Sequence, residues 1–177
     1  MAQQLHSRES ATLPSAEPLA SNKTPLRMKI IRDTILQVYA GQKSRQTIDL
    51  VLDAFIPGYE KLNADYAIRL DDENSPFTSE DEMINYFIEN AGLTQTFYWN
   101  KNHDNPDKIM VGARITEDDK LIMSLTIDGT EETAKHYFEK LKTLLHSDIG
   151  VISHVDPAVY ENGADFVSKY GRNTRVS

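Results

Sequence analysis

The side chains best suited to proton transfer or metal binding near neutral pH are five histidines, His6, His103, His136, His146 and His154. No two stand at ligand spacing. His136 and His146 fall on one expected helix, ten residues apart. That is about 1000° around the axis, which leaves them roughly 80° off register. His146 also falls near the end of that helix, where the dipole favours a cation. The chain has no cysteine, which excludes disulfides, cysteine–zinc sites and thiol nucleophiles. The phosphate cradles G-x-G-x-x-G and G-x-x-x-x-G-K-S/T, the H-E-x-x-H zinc helix, the EF-hand loop and the G-x-S-x-G elbow are all missing from the sequence. This reading assigns no catalytic residue, no metal and no cofactor, and it expects a protein that is not an enzyme. An enzyme whose His and carboxylate groups come from distant segments is an alternative without a local signature.

Charge placement is the more informative pattern. Between Glu60 and Glu89 stand Glu60, Asp65, Asp71, Asp72, Glu73, Glu80, Asp81, Glu82 and Glu89, against Lys61 and Arg69. The balance of −7 is nearly all of the net charge of −8. Asp71-Asp72-Glu73 and Glu80-Asp81-Glu82 flank a link that contains Pro76 and Phe77. A bland reading is a solvated loop followed by a helix first turn, where acids suit the dipole. A sharper reading is a surface for a basic partner, whose Lys and Arg would relieve the crowding of like charge. The spacing matches no calcium loop.

Thr96-Phe97-Tyr98-Trp99-Asn100 is the second pattern. A strand pleat sends Phe97 and Trp99 to one face and Tyr98 to the other. One face belongs to the core, and an aromatic left on an exposed face is suited to anchor an interface. The expected partner-contact residues are therefore Asp71, Asp72, Glu73, Glu80, Asp81, Glu89, Tyr98 and Trp99. The acidic balance and scattered bases argue against nucleic acid and anionic membrane surfaces as partners.

These residues need elements to hold them. Thr24-Pro25-Leu26 reads as a cap with proline at the first helical position, and Ile30, Ile31, Thr34, Ile35 and Val38 follow at helical spacing up to Gly41. Their β-branched content also suits a strand. Ser44 opens a helix with Ile48, Val51, Leu52 and Phe55 on one face. Tyr66, Ile68 and Leu70 alternate as in a short strand. Ser79-Glu80-Asp81-Glu82 is a capping box ahead of Met83, Ile84, Phe87, Ile88 and Ala91, and Gly92 suits the helix end. Strands follow over Thr94 to Trp99, Ile109 to Ile115 and Leu121 to Ile127, the last two joined by Glu117-Asp118-Asp119-Lys120. Asp128 or Thr130 caps a long helix with Ala134, Tyr137, Phe138, Leu141, Leu144 and Leu145 buried. A strand over Ile149 to Val155 and a short helical turn from Tyr160 complete the chain.

The expected fold class is α+β: an antiparallel, meander-like sheet of about four strands with helices packed on one face, and an N-terminal helical segment. Residues 1–23 read as a flexible arm, 24–170 as a single domain and 171–177 as a tail. The N-terminus lacks the apolar run of a secretory signal, and no stretch approaches the length of a membrane span. Together with the missing cysteines this predicts a soluble, cytoplasmic protein.

Residues 79–156 resemble immunity proteins of bacterial polymorphic toxin (effector–immunity) systems. The resemblance is carried by the capped helix Ser79-Glu80-Asp81-Glu82-Met83-Ile84-Asn85-Tyr86-Phe87. It continues through Leu121-Ile122-Met123-Ser124-Leu125-Thr126-Ile127-Asp128-Gly129-Thr130 and Ser147-Asp148-Ile149-Gly150-Val151. It implies a small, acidic, cytosolic inhibitor that neutralises one cognate toxin or effector domain, often basic, by covering its active site. An α+β sensory or small-molecule-binding domain is the alternative, and a deep apolar pocket with convergent polar groups would mark it.

Overall fold

In a computed structural model, residues 32–59, 61–62 and 76–171 are described. The expected arm 1–23, the Tyr66–Leu70 strand and the acids Asp71, Asp72 and Glu73 lie outside them, as does the tail from residue 172. In chain order the elements are β1 (Arg32–Gln42), α1 (Arg45–Phe55), β2 (Lys61–Leu62), α2 (Glu80–Glu89) and β3 (Gln95–Asn100). There follow β4 (Met110–Ile115), β5 (Lys120–Gly129), α3 (Glu131–Leu145), β6 (Gly150–His154) and α4 (Gly163–Tyr170).

The class is α+β, with an open antiparallel sheet in the order β2-β3-β4-β5-β1-β6. Five strands have five residues or more, one above expectation, and the two-residue β2 adds a short strip beside β3. The added strand is β1, where helical spacing over Ile30–Val38 predicted a helix. Thr34, Leu36 and Val38 also satisfy a two-residue period, and all three are buried on one face. Pairing with β5 on one side and β6 on the other decides between the two periods. Gly41, read as a helix stop, instead takes φ +86 at a register shift in the β1–β5 ladder, a bulge that glycine accommodates without strain.

The three long helices begin where their caps predict. Ser44, Ser79 and Thr130 accept from the backbone N–H three residues on, which settles the Asp128/Thr130 choice for Thr130. Their buried stripes meet one face of the sheet. Ile48, Val51, Leu52, Met83, Ile84, Phe87, Phe138 and Leu141 pack with Leu36, Phe97, Trp99, Val111, Met123 and Leu125 in one core. His146, at the C-terminus of α3, adopts the left-handed conformation with φ 50.

The C-terminal helix departs from the expectation of helices on one face. α4 is a full helix on the opposite side of the sheet, where Phe166 and Tyr160 pack against Ile122. Gln37, central in β1, donates from Nε2 to the Tyr160 hydroxyl at 3.2 Å and accepts the Ala158 N–H at 2.8 Å. The β4–β5 turn contributes Asp118, which accepts from the Gly163 and Ala164 N–H groups at the start of α4. The Arg114 guanidinium lies 4.5 Å over the Tyr160 ring. Among the described residues no helix is long and apolar enough to cross a membrane.

Candidate protein-binding surface

Of the acids in the sequence pattern, Glu80, Asp81, Glu82 and Glu89 belong to α2, and its first turn sends the first three in different directions. Glu80 turns inward, and its Oε1 accepts from the Trp99 indole N–H at 2.7 Å. Asp81 reaches sideways to Arg45 Nη2 at 2.9 Å, while Arg45 Nε holds Asp49 at 2.8 Å. Glu82 turns back and accepts from the Thr78 N–H at 2.8 Å and the Thr78 hydroxyl at 2.6 Å. This is the reciprocal cap displaced by one residue, since a capping box would return Glu82 to the Ser79 N–H. The hydrogen bonds from Thr78 hold the Glu82 carboxyl below the usual carboxylate range.

The other end of α2 is closed by Lys43, whose Nζ donates to the Phe87 and Asn90 carbonyls at 3.0 and 2.6 Å and pairs with Asp119 at 2.8 Å. A cation at a helix C-terminus is the favourable choice. Glu89 sits in that same last turn, where the dipole disfavours an anion, and it is exposed.

The buried stripe Met83, Ile84 and Phe87 leaves Glu82, Asn85, Tyr86 and Glu89 on the outer face of α2, all exposed. Tyr86 is 45% exposed, and its ring rests 5.3 Å from Phe77 and 5.5 Å from Phe87. Pro76, Phe77, Glu82, Tyr86 and Phe87 line a solvent-open groove of about 440 Å³. Its chemistry is an aromatic floor with one carboxylate, Glu82, at its side. A second solvent-open groove of about 400 Å³ runs along α3 between His136, Glu139, Lys140, Thr143 and Leu144.

The expected contact residues separate on this frame. Glu80, Asp81 and Glu89 belong to α2, with Glu80 and Asp81 engaged by Trp99 and Arg45. Trp99 is fully buried beneath α2 and is a core residue, a correction to its expected place at the surface. Its size and its indole N–H are both satisfied inside, by Phe97, Tyr59 and Glu80. Tyr98 lies on the other face of the sheet, paired across the ladder with Gly112. Its ring crosses the glycine so closely that a Cβ there would meet Tyr98 Cε1 at 3.0 Å. Tyr98 is half-buried and does not share a surface with the acids of α2. Tyr86 is the exposed aromatic on this face that the sequence pattern left out, although its position off the Met83-Ile84-Phe87 stripe already marks it as outward.

The four described histidines do not converge. His103 is exposed in the β3–β4 loop, His136 lies 5.5 Å from the Tyr137 ring, and His154 Nδ1 is 3.2 Å from the Thr34 hydroxyl. Among the described residues no group of three or more histidines and carboxylates could hold a metal ion. Compared with known proteins, the chain matches no family model, no curated protein and no solved structure at significance.

Proposed function

We propose that this chain is a non-catalytic binding protein that neutralises a cognate toxin or effector domain, docking a basic partner on the outer face of α2. The observation that carries the reading is Tyr86, 45% exposed over an aromatic floor and set between Glu82 and Glu89 on the same helix face. Tyrosine offers a large contact area with few rotors to freeze, and a carboxylate rim complements Lys or Arg beside it. Glu89 supports the same reading, because its position in the last helical turn costs stability and a cationic partner would offset that cost. Both grooves are open to solvent and not enclosed, a form that suits an interface more than a small-molecule site. The reading includes a cytoplasmic setting, to which a cysteine-free chain is suited.

The test is a comparison of two baits, the wild-type chain and Tyr86→Ala, in copurification from native cells followed by binding kinetics with the recovered partner. The expected result is a stoichiometric basic protein that the variant holds about 30-fold or more weakly, the loss of a hot-spot residue of ~2 kcal/mol. Equal retention by both baits would remove the outer face of α2 from the interface.

A further inference from the structure

The sheet ends at β6, and among the described residues no strand pairs with its outer edge. The register decides which groups that edge presents. Tyr39 N–H donates to the Ile149 carbonyl and Val155 N–H donates to the Asp33 carbonyl, so the odd-numbered residues along β6 bond to β1. The N–H groups of Gly150, Ile152 and His154, and the carbonyls of Gly150 and Ile152, therefore point away from the sheet. The His154 carbonyl is already met by the Asp156 N–H at 2.9 Å.

An open edge is a template for another strand, and proteins block theirs with lysine, proline, a bulge or a charge on the edge. Gly150-Val151-Ile152-Ser153-His154 has no Lys, Pro, Asp or Glu, and its ladder with β1 runs without a register shift. Val155 adds a second, independent observation. It takes φ 70, where a β-branched side chain is strained, and it is 75% exposed. The backbone turn there is held by the Val155 and Asp156 N–H bonds, but the apolar side chain is left exposed at the end of an edge that no described strand covers.

The flanks select the occupant. Asp148 before the strand is fully exposed, with Lys142 Nζ 3.9 Å away, and Asp156 after it is exposed. Antiparallel pairing of two copies about the central Ile152 would set Asp148 of each against Asp156 of the other, and like charges directly opposite are destabilising. A foreign segment with a cation at each end meets the same two aspartates favourably.

We propose that the outer edge of β6 takes up an extended segment of a protein partner, uncharged over about five residues and carrying Lys or Arg at both ends. The surface lies at the far side of the sheet from β3, which α2 covers, so it stands or falls separately from the α2 reading.

Two synthetic peptides, Lys-Thr-Val-Thr-Val-Thr-Lys and Glu-Thr-Val-Thr-Val-Thr-Glu, titrated into the isotope-labelled full chain, test it by NMR. With the Lys-flanked peptide the Ile152 and His154 amides should shift and exchange more slowly with solvent, and its affinity should exceed that of the Glu-flanked peptide roughly tenfold. Joint Asp148→Lys and Asp156→Lys substitution should invert that preference. Ile152→Pro removes an outward N–H without touching the bonds to β1, and it should abolish binding at an unchanged fold. Where that proline disturbs the strand, the charge swap alone decides. Undisturbed β6 amides at millimolar peptide, equal affinity for both peptides, or a dimer of this chain that Ile152→Pro dissolves would each overturn the proposal.

Discussion

Glu80 shows how a residue that looks like surface charge serves the interior. Trp99 is fully buried against the rings of Phe97 and Tyr59, and the acceptor for its indole N–H is the Glu80 carboxylate. A buried donor left unpaired costs about 1–3 kcal/mol. Glu80→Leu should therefore lower unfolding stability by about that amount in a denaturant titration, while Glu80→Gln, which keeps an acceptor oxygen, should lose less. Trp99 is the sole tryptophan, so its fluorescence reports the unfolding directly. Equal losses for the two variants would show that the indole bond contributes nothing. The alternation Phe97, Tyr98, Trp99 was legible as two faces, but which face was core was not. That choice was made by α2, a helix whose own apolar stripe had to be buried over β3. The outward set Glu82, Asn85, Tyr86 and Glu89 was equally legible as the complement of that stripe. Its importance was hidden because acid counts weigh charge and pass over a lone exposed ring.

Among the elements, those with local signals were legible and those held by distant pairing were not. Ser44, Ser79 and Thr130 start their helices by bonds three residues long, so the sequence window contains the whole cause. β1 has no such window. Its spacing suits two periods, and its partners Lys120–Gly129 and Gly150–His154 lie far along the chain. α4 is the same case, because Asp118 grips its first amides from 45 residues away. Burial pushes the Asp118 carboxyl up, but hydrogen bonds from the Thr116 hydroxyl and the Gly163 and Ala164 N–H groups outweigh it and hold it below the usual range. A carboxyl lowered in the folded state contributes stability above its unfolded pKa and loses it as the pH falls through the folded value. Acidification below about pH 4 should thus loosen α4 first. Amide exchange at Gly163 and Ala164 should then accelerate beyond its intrinsic pH dependence, and Asp118→Asn should show the fast exchange at neutral pH with no acid transition of its own. Identical acid profiles in the two proteins would mean that α4 is held by Tyr160 and Phe166 alone. Tyr160 supplies the other end of this latch. Burial is the main cause that pushes its hydroxyl up to about 12, so it stays protonated beside Gln37 at neutral pH, and its contribution is lost as the pH rises from the ordinary tyrosine value of about 10 through the folded one.

At the scale of the whole molecule the net charge of −8 acts before any contact forms. Opposite potentials raise the encounter rate, and salt screens them over about 8 Å at physiological strength. The acids that make up this field are not interchangeable. Asp81 holds Arg45, Glu82 closes the start of α2 and Glu80 holds Trp99, so reversing any of them would confuse binding with folding. Glu89 has no such task, and Asp71, Asp72 and Glu73 are the remaining acids closest in sequence. Joint substitution of Asp71, Asp72, Glu73 and Glu89 by lysine should slow association with the partner by about tenfold or more at low salt. Dissociation should change less, because long-range attraction acts mainly on the encounter. Tyr86→Ala should show the opposite kinetic signature, with faster dissociation and a nearly unchanged on-rate, since a contact made only in the bound state acts after encounter. Raising the salt should weaken the wild-type complex through its on-rate and leave the four-site variant almost insensitive. If that variant associates at the wild-type rate with the wild-type salt dependence, the acidic stretch is a solvated face. Recognition would then rest on Tyr86 or on the edge of β6 without long-range guidance.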